Sequence, residues 1–154
     1  LLRTIYFFLV GKLINGIIVS KEKIITHEKG DIHHIMKKSH NGFYGFGEVY
    51  ISKIKYHDIK AWKKHNEMIC NFVVIHGQIK IVVYDNRNNS KTKTVFNEFV
   101  LSKENYCRIT IPNGLWYGFK GLSKDENILL NFSNIIHNSD EQINKEINLL
   151  NYKW

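Results

Sequence analysis

Apolar and polar residues alternate in short runs along this chain. In "QIKIVVYD" Ile79, Ile81 and Val83 face one way and Lys80, Val82 and Tyr84 the other, the period-two pattern of a half-buried strand. Comparable runs are "NGIIVSKEKII", "DIHHIM", "GEVYISKIKY", "KAWKKH", "MICNFVVIH", "TVFNEFVL", "YCRITI" and "NILLNFSNI". Turn-forming stretches separate them: "HEKG", Asn41-Gly42, "HG", "DNRNNS", "PNG" and "LSKDEN". Many short strands at roughly 8–12-residue spacing predict a sandwich or barrel. Only the tail "SDEQINKEINLL" changes period. There Ile143, Ile147 and Leu150 fall on one helical stripe, with Ser139 or Asp140 as the N-cap. The expected class is all-β with a short C-terminal helix.

Length and composition narrow the picture. A chain of 154 residues without a Pro/Gly/Ser-rich linker is read as one domain. It is long enough to bury about 70% of its unfolded surface. The apolar stretch "IYFFLV" near the start falls far short of the ~20 residues a membrane span needs, and no small-residue cleavage site follows it. Residues 1–12 are therefore read as an N-terminal extension and 13–154 as the domain, with no membrane partner expected. The net charge of +8 comes from lysines scattered among Asn and Ile, without a compact basic run. That suits a pocket for a phosphate-bearing small molecule better than a nucleic-acid surface. Cys70 and Cys107 are too few and too unpatterned for a disulfide framework or a metal site, and they favour a reducing cytoplasm.

Residues 59–85 pose the functional question. The strand "IKAWKKH" carries Lys60, Trp62, Lys63, Lys64 and His65 where a core strand would carry Val and Ile. It is either a solvated edge or the wall of a site. Residues i and i+2 share a strand face, so Lys63 and His65 project together. Facing inward, His65 can act as a base and Lys63 as a cation that steadies an enolate; a neutral Lys63 can itself be the base. Trp116 and Phe119 read as core or pocket wall. His33 and His34 cannot both face inward. Asp85 and Arg87 read as an ion pair anchoring a turn. His137, Asp140 and Glu141 read as caps of the terminal helix, although an Asp that orients a catalytic histidine can come from this region.

The segment "CRITIPNGLWYGFKGL" resembles the second cupin motif, Pro-x-Gly-x-x-His, with Pro112, Gly114 and Tyr117 at its positions. The resemblance implies a cupin-type jelly-roll barrel, in agreement with the strand count. In metal-dependent cupins that His joins a His-x-His-x(3,4)-Glu cluster. Here Tyr117 stands for the one and Lys63 for the first of the pair, and no Glu follows His65 at the right distance. Neither metal nor cofactor is expected.

A closer resemblance, from Ile14 to Trp154, is to the dTDP-4-dehydrorhamnose 3,5-epimerase family, the metal-free nucleotide-sugar branch of the cupins. It rests on "THEKGDIHHIM" (Lys29-Gly30 for Arg-Gly), "IKAWKKH" (for Arg-Gly-x-His), "VVIHGQIKIVVYDNR", "ITIPNGLWYGFKGLS" and the closing "NYKW". It implies a histidine base held by a carboxylate, a lysine on the enolate, and a tyrosine returning a proton from the opposite face. At the aligned positions the histidine is Lys63, the tyrosine falls near Leu130, and the phosphate-binding arginine is Lys60. The expected catalytic residues are therefore His65, Lys63 and Tyr117, with Tyr84, Tyr106 or His76 as further proton donors. Substrate contacts are expected from Lys60, Glu28, Lys29, His76, Trp116 and Asn71. The implied activity is isomerisation of a nucleotide-linked 4-keto-6-deoxy sugar, a dTDP-sugar first among them, by epimerisation at C3 and/or C5. It would serve surface-polysaccharide or glycan biosynthesis as a cytoplasmic homodimer. The alternatives are a non-catalytic nucleotide-sugar-binding cupin and, behind it, a metal-dependent cupin enzyme.

Overall fold

The computed structural model describes residues 11–154; the expected extension at 1–12 lies almost wholly outside them. The strands are β1 (Ile18–Lys21), β2 (Ile24–Ile25), β3 (Ile32–His33), β4 (Glu48–Ile54), β5 (Ile59–His65) and β6 (Cys70–His76). They continue as β7 (Gln78–Tyr84), β8 (Phe96–Ser102), β9 (Cys107–Ile111), β10 (Trp116–Gly121), β11 (Asn127–Ser133) and β12 (Gln142–Asn144). Two five-stranded antiparallel sheets face each other, in the orders β1-β9-β6-β11-β4 and β12-β5-β10-β7-β8. A two-stranded β2-β3 ribbon stands apart from them.

Alternation decides what each sheet buries. Ile79, Ile81 and Val83 of β7 enter the core between the sheets with Phe72, Val74, Phe99, Leu101, Tyr117, Phe119 and Leu129. Val82 of β7 faces outward, and a second apolar cluster forms there around Trp62, Val82 and Trp116. The tail covers this outer face with Ile143, Leu150, Tyr152 and Trp154. The helical spacing read in the tail yields only 3-10 turns at Ser139–Glu141 and Ile147–Leu149, with strand β12 between them. Pairing with the edge of β5, Ile143 opposite Lys64, satisfies the backbone there and overrides the weak helical pattern.

The outer face of the first sheet is treated differently. Arg108 of β9 is buried and donates to Glu22, Asn71, Thr110, Ser20 and the Asn41 carbonyl. The loop before β4 closes over this network. A Cβ at Gly42, whose φ is 90°, would lie 2.4 Å from the Thr110 hydroxyl. Only glycine allows that backbone to come so close.

Candidate active site

A cavity of about 300 Å³ opens between the sheets, beside edge strand β4 on one side and β12–β5 on the other. The first sheet lines it with Tyr50, Ser52, Phe72 and Leu129. The second supplies Lys60, Lys63, Tyr117, Phe119 and Asn144, with Lys145 just beyond β12. Three lysines and no Asp or Glu appear among these residues, so the cavity presents positive charge to whatever enters.

A bulge in β5 places two of the lysines. Opposite β10, Lys63 pairs with Tyr117 and Lys60 with Phe119, so two residues, Ala61 and Trp62, stand against Gly118 alone. The extra residue offsets the period-two alternation, and Lys60 and Lys63 both reach the interior although they are three positions apart. Ala61 and Trp62 border the cavity at the bulge and also join the outer aromatic cluster. Gly118 is what makes the bulge fit: a Cβ there would lie 2.5 Å from the Ala61 Cβ and 2.9 Å from the Trp154 ring. The Lys60 ammonium donates to the Ser52 hydroxyl (3.0 Å) and the Lys53 carbonyl (2.6 Å). Among the described residues the Lys63 ammonium meets no hydrogen-bond or ion-pair partner.

His65 shares the interior face with Lys63 and is 3% exposed. Its ring stacks on the cavity-lining Tyr117, centroids 6.0 Å apart, and His65 does not itself line the cavity. Its Nδ1 forms a short hydrogen bond with the Glu141 carboxylate. The second Glu141 oxygen accepts from the backbone N–H of Glu67 (3.0 Å) and Met68 (3.2 Å). The carboxylate is thus held from three sides and holds the ring in turn. Nε2 is buried without a partner among the described residues. Burial lowers the His65 pKa below its ordinary 6.5, against the opposing pull of Glu141. Burial also pushes the Glu141 carboxyl up, but the Glu67 N–H, His65 and the Met68 N–H outweigh it, and the net shift is downward. The pair is a neutral, oriented imidazole backed by a carboxylate, the composition of a general base.

Tyr117 is almost fully buried and its hydroxyl lies 3.9 Å from the Cys70 thiol. Burial holds its proton well above the ordinary phenol range and pushes the Cys70 thiol up to about 12. Tyr50 faces the cavity from β4, and its Oη accepts a 3.2 Å hydrogen bond from the Asn131 amide.

Several residues expected at the site stand elsewhere, mostly for reasons of strand parity. Trp116 neighbours Tyr117 and so faces the opposite way, into the outer cluster with Trp62. Asn71 alternates with Cys70 and Phe72 and belongs to the Arg108 network. His76 is exposed at the end of β6, and Glu28 and Lys29 lie in the exposed turn between β2 and β3; none of the three lines the cavity. Tyr84 stacks on Phe96 on the outer face, and Tyr106 donates to the His34 carbonyl. Leu130 points outward opposite Ile51. Glu141, read as a helix cap, is the partner of His65. Its signal was the carboxylate-rich "SDEQ" before the tail, but nothing local tied it to a residue 76 positions away. Asp85 and Arg87 do form the turn-anchoring pair, through two 2.9 Å contacts. Among the described residues no three His, Cys, Asp or Glu side chains are grouped to hold a metal ion. No helix among them is long and apolar enough to cross a membrane.

The comparisons with known proteins agree with this architecture. The family model described as dTDP-4-dehydrorhamnose 3,5-epimerase matches residues 57–154, which include β5, the His65–Glu141 pair and the whole tail. The chain belongs to this family. It is 30% identical to a dTDP sugar isomerase from Desulfovibrio desulfuricans G20, covering 90% of each chain with a TM-score of 0.85. It is 25% identical over 135 residues to the spore coat polysaccharide biosynthesis protein SpsL of Bacillus subtilis, covering 88% of this chain and 89% of SpsL. A match of 31% identity over 84 residues links it to the probable low-salt glycan biosynthesis epimerase Agl13 of Haloferax volcanii. That match spans about half of each protein, 54% in both cases.

Proposed function

We propose that the protein is an isomerase that enolises a nucleotide-linked 4-keto-6-deoxy sugar and epimerises it at C3 and/or C5, in the assembly of a surface polysaccharide or glycan. The observation that carries this reading is the buried His65–Glu141 pair, with its unpartnered Nε2 on the interior face of β5 beside the unpaired Lys63. A proton next to a ketone is weakly acidic, so its removal requires a positioned base together with a cation at the developing oxyanion. His65 takes the proton, Glu141 stabilises the imidazolium, and Lys63 meets the enolate oxygen. Lys60, at the same wall, suits the diphosphate as a point charge.

The family and the names of the relatives support a nucleotide-linked sugar, and dTDP is the first nucleotide to test. We include in the proposal that the protein works as a homodimer. The outer face of edge strand β4 leaves Val49 and Ile51 more than half exposed, beside Phe46 and Ile136. That apolar surface is the kind a second copy covers.

The deciding experiment is proton NMR in D2O with the purified protein and a dTDP-4-keto-6-deoxyhexose. Loss of the C3–H or C5–H signal is expected, abolished in His65→Ala and Lys63→Ala. Binding of the nucleotide without any exchange would leave a nucleotide-sugar-binding protein. The absence of both would overturn the proposal.

A further inference from the structure

Inversion at a carbon requires the proton to leave on one face of the sugar and return on the other. The two walls of the cavity belong to different sheets, and the base stands on only one of them. His65, Lys63 and Tyr117 all project from β5 and β10 of the second sheet. The Tyr117 hydroxyl crosses to Cys70 of β6 in the facing sheet and is engaged there, while its ring stacks on His65 at an interplanar angle of 23°; at 3% exposure it has no ready route to recover a proton from water. On the facing sheet the proton-bearing groups that line the cavity are Tyr50 and Ser52. The Ser52 hydroxyl already accepts from Lys60, and a serine hydroxyl is a much weaker acid than a phenol.

We infer that Tyr50 is the acid that returns the proton on the face opposite His65, an assignment that rests on the reading proposed above. Its environment is built for that role. The Asn131 side chain sits directly opposite Tyr50 in the β11–β4 register. Its Oδ1 accepts from the Asn71 backbone N–H at 3.1 Å, which fixes the amide so that Nδ2 donates to Tyr50 Oη at 3.2 Å. The phenol oxygen is therefore an acceptor in that bond, and its own proton is free to point into the cavity. The same N–H donor stabilises the tyrosinate left after transfer. Tyr50 is 38% exposed, so water can restore its proton between turnovers.

The C–H bond breaks toward His65 Nε2, and its electron pair moves into the enolate. The carbonyl re-forms as the carbon takes the Tyr50 Oη proton on the opposite face, leaving tyrosinate. His65 releases its proton to solvent and water reprotonates Tyr50, so the net change is configuration alone.

The test is Tyr50→Phe in the same D2O experiment, with product configuration followed alongside exchange. The wild-type product is expected to carry deuterium at the inverted carbon. In Tyr50→Phe, exchange with retained configuration continues through His65, while inversion falls at least ~100-fold. Inversion at the wild-type rate would overturn the assignment, as would joint loss of exchange and inversion at an unchanged melting temperature. If Tyr50→Phe fails to fold, 3-fluorotyrosine at position 50 keeps the ring and hydroxyl but makes the phenol more acidic. It should then move the alkaline limb of inversion to lower pH without moving that of exchange, and an unmoved limb would overturn the inference. Absence of exchange in the wild-type protein would instead bring down the isomerase reading on which it stands.

Discussion

A histidine buried in a barrel interior is a weaker base than one in water, because burial penalises its charged form. Glu141 opposes that loss at His65, by hydrogen bond and by charge. The net shift is still downward, so the imidazole is neutral at pH 7, and the acid limb of kcat/KM should lie below the ordinary 6.5. Glu141→Gln keeps an oxygen to accept from Glu67 and Met68 but removes the charge that raises the His65 pKa. The sign follows: the His65 pKa falls further and the acid limb moves to lower pH. The plateau should also drop by roughly 100-fold as the imidazolium loses its counter-ion. A pH–rate profile of the variant checks both; a limb that stays in place or moves upward would show that Glu141 does not set the basicity of His65.

At the level of elements, the site depends on how β5 is held between β10 and β12. The bulge at Ala61–Trp62 turns Lys60 and Lys63 to one face, and the tail locks it from outside with Trp154 against Trp62, centroids 5.0 Å apart. β12 then contributes Asn144 to the cavity wall. Trp154→Ala should therefore destabilise the protein by about 2 kcal/mol, the usual worth of burying a large apolar side chain. Urea unfolding followed by fluorescence measures this. An unchanged midpoint would mean that the tail is a passive cover. The strand pattern of β7 was legible in the sequence because both its faces are regular. The tail was not, since Ile143 and Leu150 satisfy a helical stripe and a sheet-covering strand equally well.

For the whole molecule, the two sheets treat their outer faces differently. The second is sealed by the chain's own aromatic tail, and the first is partly sealed by the loop over Arg108, while β4 is left open. An exposed edge strand with an apolar outer face is normally managed by charge or by a partner. The proposed homodimer supplies the partner. Replacing Val49 and Ile51 together by lysine should convert a dimer to a monomer in sedimentation velocity, with the fold intact by circular dichroism. A wild-type protein that sediments as a monomer at all concentrations would contradict it.

By itself the sequence determined the all-β class, most of the strands, though not β10 or β12, and that Lys63 and His65 share a face, because period-two alternation is a local property that burial enforces residue by residue. It also carried enough of the family's motifs, in order, to point to nucleotide-sugar chemistry. Tertiary structure alone decided that Glu141 rather than an aspartate orients His65, that Lys60 joins Lys63 across a bulge, and that Trp116 and Asn71 face away from the cavity. It decided too that Tyr50, from a strand of the other sheet, lines the same cavity. These facts depend on register between strands distant in sequence and on one extra residue opposite Gly118. A single-residue offset reverses which side chains face inward, and no local pattern records it.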